Sequence, residues 1–218
     1  MFITLEGIEG SGKTTQIEAI ACFLKENGHD VVTTREPGAT STGKKIRSIL
    51  LDPKNTAISP LCELMLYGAD RAQHIQEIIL PALKSGKIVL CDRFADATTA
   101  YQGFGRGLDM ALIDSIYKIA AKELKPDLTI LFDLDPSIGL KRTFKALDNG
   151  ERQLSESRFE QEHLDFHNRV RNGYLAIAQK ERERFFVVDA SCSKEDILKQ
   201  IISEIMIRHN NNYQEYKI

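Results

Sequence analysis

The chain has little of what would commit it to nucleic acid, to a membrane or to an oxidising compartment. Acidic and basic residues nearly cancel, 31 against 29, for a net charge of −2. They are mixed along the sequence, so no basic stripe argues for extended nucleic-acid binding and no such partner is expected. No apolar run approaches the ~20 residues that span a bilayer. Nothing ahead of the first apolar segment reads as a signal peptide, and no membrane partner is expected. Cysteine is sparse: Cys22, Cys62, Cys91 and Cys192 stand far apart, with no C-x-x-C and no ligand-like histidine spacing. Three of them sit in apolar stretches, which predicts buried free thiols. These absences together describe a soluble, reduced, cytoplasmic chain, and 218 residues suit one α/β domain with a core of its own.

What is present begins at once. Gly7, Gly10, Gly12, Lys13 and Thr14 fill the pattern G-x-x-x-x-G-K-[ST] without a mismatch, in the stretch GIEGSGKTT that also holds Ser11 and Thr15. Met1 to Leu5 reads as the buried strand entering this loop and Gln16 to Glu26 as the helix leaving it. Glycines allow a turn tight enough for successive N–H groups to converge on phosphate oxygens. Lys13 brings a mobile charge for the outer phosphates, the Thr14 hydroxyl is a hard oxygen suited to Mg²⁺, and the helix N-terminus adds its positive dipole end. The pattern predicts binding of a nucleoside triphosphate.

Short apolar runs then alternate with helical periodicity, the signature of a parallel sheet covered on both faces. The predicted strands are Phe2–Leu5, Val31–Thr34, Ile88–Cys91, Thr129–Phe132 and Phe185–Val188. Together with the phosphate loop they predict an α/β fold of the P-loop NTPase type: three layers, with a five-stranded parallel sheet between helices. Leu61–Lys84 and Met110–Leu124 carry helical stripes, with a kink expected near Pro81. The domain is expected to span 1–208, followed by a polar tail, 209–218. Lys145–Glu160 is charged and holds an Asn-Gly turn signal. It fits a plain surface loop, or a lid, about 143–160, whose cations close over phosphate and exclude water.

Further candidates fall where loops leave strand ends, the edge at which open α/β sheets bind ligands. Arg35-Glu36-Pro37-Gly38, then Arg47, follow the second strand. Asp92-Arg93-Phe94, then Thr98, Tyr101 and Gln102, follow the third. Tyr67 and Arg71 share a helical face at i, i+4 and fit a sandwich around a flat base, although a core aromatic fits Tyr67 equally well. Asp92 is placed like the acidic residue that serves Mg²⁺ in phosphate-loop proteins. Its neighbour Arg93 is a cation suited to bidentate phosphate binding. A second phosphate, held by Arg47 and Arg93, is therefore implied, and with it phosphoryl transfer by positioning and electrostatics. A deoxynucleoside kinase or a non-catalytic nucleotide-binding module on the same fold remains open. No N-K-x-D motif supports a GTPase switch.

GIEGSGKTT, TREPG followed by Ile46-Arg47, Tyr67 to Arg71 with Gln73, VLCDRFADATTAYQG and FHNRVRNGY together make the chain resemble bacterial thymidylate kinases, from Met1 to about Ile207. That resemblance implies ATP-dependent phosphorylation of dTMP to dTDP with Mg²⁺, in dTTP biosynthesis, by a homodimer. It implies Glu9 against the 3′-hydroxyl of the acceptor sugar, Tyr67 stacked on thymine, Arg71 on its carbonyl edge, and Thr98 and Gln102 completing the base pocket, with Glu36 and Pro37 also among the dTMP contacts. It implies Tyr101 crowding the 2′ position, Arg47 and Arg93 on the acceptor phosphate, Thr14 and Asp92 at the metal, and adenine against Arg142 and the loop near Ala190. Members of the family keep the transition-state arginine in the phosphate loop or in the lid. Here Ile8, Glu9, Gly10 and Ser11 include none, so Lys145, Arg152 and Arg158 are the candidates, with Arg152 favoured for its central place. Phe144 and Ala146 stand where arginines are expected, Ala97 replaces the signature serine, and Ala39 a usual glycine.

Overall fold

A computed structural model of the protein describes residues 1–151 and 153–215, with side chains described up to 208. Five parallel strands, β1 (Phe2–Glu6), β2 (Val31–Arg35), β3 (Ile88–Asp92), β4 (Leu128–Asp133) and β5 (Phe185–Asp189), form one sheet in the order β2-β3-β1-β4-β5. Each extends the corresponding predicted strand by one residue at its C-terminal end or, in β4, at both ends. The helices are α1 (Lys13–Glu26), α2 (Ser41–Leu51), α3 (Pro60–His74), α4 (Leu80–Lys84), α5 (Ala95–Thr98), α6 (Met110–Ala121), α7 (Pro136–Asp148), α8 (Leu164–Lys180) and α9 (Lys194–Glu215).

The pleat of the strands sorts the core into two layers. Ile3, Leu5, Ile88 and Leu90 face one side with Ile17, Ile20 and Leu24 of α1. Phe2, Val89 and Cys91 face the other, against Ile75, Ile79, Phe94 and Ala121. Local chemistry sets the helix starts. Thr40 accepts from Gly43 N at 2.9 Å, Asp135 from Ser137 N at 2.9 Å, and Ser59 from Cys62 N at 3.3 Å ahead of Pro60. At α1, by contrast, no side chain caps the first turn, which opens from Gly12.

The helical stripe of Leu61–Lys84 is continuous from α3 through a π-helical turn, Ile75–Ile79, into α4. Pro81 cannot donate and crowds the carbonyl four residues back, and the widened turn lies just ahead of it. The expectation of buried thiols holds only for Cys91; Cys22, Cys62 and Cys192 are exposed. Apolar neighbours in sequence do not say which helix face a residue takes: Cys22 looks outward to Glu26, at 3.3 Å. The polar stretch expected as a tail from 209 continues the backbone of α9 as far as Glu215. Among the described residues no helix is long and apolar enough to cross a membrane.

Candidate active site

The C-terminal edge of the sheet carries charge, because its strands end on Glu6, Arg35, Asp92, Asp133 and Asp189. Above it opens a cavity of about 660 Å³. Gly7, Gly10 and Gly12 hold φ values of 140°, 67° and 93°, which lets the loop fold back so that Lys13 Nζ donates to the Gly7 and Ile8 carbonyls, at 3.0 and 2.8 Å, and to Ser11 Oγ at 3.1 Å. Burial, with the Arg93 charge, pushes the Lys13 amine down to about 8. A Cβ on Gly10 would sit 2.2 Å from the Gly139 carbonyl oxygen, so only glycines let the start of α7 dock on the phosphate loop. Thr14 Oγ1 donates to Asp92 Oδ2 at 3.2 Å, placing two hard oxygens side by side at the mouth of the loop.

Arg93 is held from four sides. Its backbone takes φ 68°, a left-handed conformation uncommon for a side-chain-bearing residue. Its N–H donates to the Leu5 carbonyl at 3.0 Å. Its guanidinium donates to Glu9 Oε1 at 3.0 Å and Tyr174 Oη at 3.2 Å, and lies 4.9 Å from the centre of the Tyr101 ring. The Tyr101 hydroxyl donates to Glu9 Oε1 at 2.5 Å. His167 Nδ1 lies 3.4 Å from Glu9 Oε2. Burial would raise the Glu9 carboxyl, but Arg93, then His167 and Tyr101, outweigh it and hold the group well below the usual carboxylate range. Glu6 lies behind this layer. It accepts from Phe94 N at 2.7 Å and from the Tyr174 hydroxyl at 2.8 Å, and so fixes both flanks of Arg93. Burial, then the Asp96 charge, raises its carboxyl to about 7.

Across the cavity Arg71, 2 % exposed, donates through Nε to Glu36 Oε2 at 2.9 Å and through Nη2 to the Phe94 carbonyl and Thr98 Oγ1, both at 3.0 Å. Glu36 Oε1 meets His74 Nδ1 at 2.9 Å. Arg47 reaches the Pro37 carbonyl at 3.0 Å and makes a bidentate pair with Glu156, at 2.9 and 2.8 Å.

The structure therefore gathers the sequence candidates into one place. Glu9, Gly10, Ser11, Gly12, Lys13, Thr14, Thr15, Glu36, Pro37, Arg47, Tyr67, Arg71, Asp92, Arg93, Thr98, Tyr101, Gln102 and Arg142 all line the cavity; Gly7 joins through its carbonyl to Lys13. Arg142 Nη1 lies 3.4 Å from the Gly10 carbonyl and 3.3 Å from that of Ala190. The lid candidates separate. Arg158 is buried, bound to Glu63 and to the Leu50 carbonyl. Lys145 lines a shallow groove with Ser137, Leu140 and Phe144 instead. Arg152 lies outside the described residues. Glu6, Glu63, Glu156, His167 and Tyr174 were not legible as site residues. The signals were FHNRVRNGY, which contains His167 and Tyr174, and the charged stretch Lys145–Glu160, which contains Glu156. Among the described residues no three His, Cys, Asp or Glu side chains form a metal cluster.

A family model of thymidylate kinases matches residues 5–201. The chain is 63% identical over 205 residues to a thymidylate kinase of Desulforapulum autotrophicum, covering 94% of this chain and 90% of that one. It is 52% identical over 205 residues to one of Desulfosudis oleivorans, covering 94% and 96%. Among solved structures it is similar to a thymidylate kinase from Ehrlichia chaffeensis, with a TM-score of 0.75 at 35% identity over 94% of this chain and 98% of that one.

Proposed function

The chain belongs to the thymidylate kinase family, and we propose on that premise that it moves the terminal phosphoryl group of ATP onto the phosphate of dTMP, giving dTDP. It is an enzyme, a nucleotide kinase of the parallel-sheet P-loop fold. The assignment of a phosphorylated acceptor is carried by Arg47 and Arg93, which line the same cavity as the phosphate loop. Three carboxylates in that cavity, Glu9, Glu36 and Glu156, are each paired with an arginine. Carboxylates paired in this way suit the holding of cations for phosphate better than the deprotonation of a nucleoside hydroxyl.

The triphosphate sits on the N–H groups of residues 10–15 at the open end of α1, and Lys13 exchanges its loop carbonyls for phosphate oxygens. Adenine lies by Arg142 and Ala190. Thr14 and Asp92, whose oxygens lie side by side, would hold Mg²⁺. When bound, the ion neutralises charge on the transferring phosphate. Arg93 and Arg47 bind the dTMP phosphate, Arg47 giving up Glu156 to do so. Tyr67 stacks on the base, Arg71, Thr98 and Gln102 hold its edge, and Glu36 and Pro37 position Arg71 and Arg47. Glu9 takes the 3′-hydroxyl, and Tyr101, tied to Glu9, fills the 2′ position. Arg152 supplies the transition-state cation, since Arg158 is committed to Glu63 and Lys145 lines another groove. Exposed Leu61 and Met65 on α3 and Ile119 on α6 give neighbouring helices an apolar face that suits a homodimer.

A coupled assay of ADP release with dTMP and with thymidine as acceptors tests the assignment. Turnover with dTMP and little with thymidine is expected. Faster turnover with thymidine would remove the acceptor phosphate from Arg47 and Arg93.

A further inference from the structure

Glu63 stands one helical turn before Tyr67 and two before Arg71 on the same face of α3. It is 1 % exposed, and three side chains converge on it. Gln102 Nε2 donates to Oε1 at 2.9 Å, Arg106 donates to both oxygens at 3.2 and 3.3 Å, and Arg158 Nη2 donates to Oε2 at 2.5 Å. Arg106 Nη1 meets Glu162 Oε1 at 2.6 Å, so two carboxylates face two guanidiniums and the cluster is neutral. Burial would raise the Glu63 carboxyl, but Arg106, then Gln102 and Arg158, outweigh it and lower it.

An ionised carboxylate only accepts. The Gln102 amide must therefore turn its NH₂ group toward Glu63, which leaves Oε1 as the atom it offers to a ligand in the cavity it lines. Arg71 has the opposite sense. Its Nε and Nη2 are taken by Glu36, Phe94 and Thr98, which leaves Nη1 as the donor it can offer. An acceptor and a donor thus face one base pocket.

We propose that Glu63 is a positioning residue for base specificity: by holding the Gln102 amide in one orientation, it makes the pocket select a base edge with N–H beside C=O over one with a bare ring nitrogen beside NH₂. Resting on the assignment of dTMP as acceptor, this names the group that enforces its base. Thymine shows N3–H and O4. 5-Methylcytosine keeps the ring and the methyl group but reverses both hydrogen-bonding senses, leaving two buried mismatches. A glutamine at 63 could accept from Gln102 or donate to it, and the amide would lose its fixed sense.

The test measures kcat and KM of the full chain with dTMP and with 5-methyl-dCMP. Its variants are Glu63→Gln and the double substitution Glu63→Gln with Arg158→Gln. The double variant restores neutrality around Arg106 and Glu162 and so keeps the test available if the single one does not fold. The unsubstituted protein is expected to favour dTMP in kcat/KM by about 10³ or more, and either variant to reduce that ratio about tenfold or more, mainly through KM for dTMP. A merely structural role would weaken both acceptors together, and a ratio unchanged in the variants overturns the proposal. In the unsubstituted protein the Gln102 NH₂ protons should also be protected from solvent exchange before and after dTMP binds; loss of protection on binding, as the amide turns over, would overturn it too. Failure of the unsubstituted protein to phosphorylate dTMP at all would instead contradict the substrate assignment beneath it.

Discussion

The floor of the cavity and the segment that roofs it are held in different ways. On the floor, Arg93 and Arg71 are tied by buried side chains at or near the strand ends and on α8. Arg93 is fixed by Glu9, by Tyr174 and through Glu6 at the end of β1, and Arg71 by Glu36 just beyond β2. The roof starts as firmly, with Gly139 of α7 against Gly10, and then leaves the helix at Asp148. From there it proceeds through Gly150, at φ 73°, into short 3₁₀ turns at Leu154–Glu156 and Phe159–Gln161. Among the described residues its side chains return to the floor at charged contacts that include Glu156 to Arg47 and Arg158 to Glu63. On the proposed reading the floor is pre-organised for binding, while the roof is attached at points that a substrate phosphate would replace or leave undisturbed.

The largest effect should come from breaking the floor. Arg93→Ala removes a proposed phosphate ligand and leaves Glu9 buried without its guanidinium, so kcat/KM for dTMP should fall by about 10³ or more in steady-state assays. A loss below about tenfold would mean that the acceptor phosphate lies elsewhere. A second test reads how tightly the floor is built. The Glu6 carboxyl is raised from its ordinary 4.5 to about 7 in the folded protein. Between those values the folded state binds more protons than the unfolded chain, so this group makes stability decline as pH rises through that window. The opposite contribution of Glu9, whose carboxyl is held low, falls at more acid pH and does not overlap. Thermal melts from pH 4.5 to 7.5 should therefore show a steeper decline in the unsubstituted protein than in Glu6→Gln; parallel curves would contradict a carboxyl raised by burial there. The smallest effect belongs to the roof. Glu156→Gln weakens the competitor for Arg47, and KM for dTMP should fall by about twofold to fivefold. A rise in KM would show that Glu156 helps to hold the acceptor.

The difference between floor and roof also marks how far the sequence could be read. All five strands were legible, because an apolar run bounded by turns is a local signal, and so was the phosphate loop, whose glycines and lysine are contiguous. The carboxylates that organise the site were not. Glu6 looks like the last residue of an apolar strand, and Glu63 like one polar residue in an amphipathic helix. Their partners lie 88 and 39 positions away at Phe94 and Gln102, and no local period reports such pairings. Arg158 was readable as a lid cation or as an ion-pair residue, and only its approach to Glu63 separates the two. The thiols failed for a related reason, since hydropathy along the chain does not choose the face of a helix.

The proposed function divides the labour: the floor would bind, and the roof would complete the transition state through Arg152. The direct measurement is Arg152→Ala, with kcat from single-turnover phosphoryl transfer and the Kd of dTMP from calorimetry on the same protein. A fall in kcat of about 10² or more, with the dTMP Kd changed by less than about threefold, is the expected result. An unchanged kcat, or equal losses in transfer and dTMP binding, would contradict it.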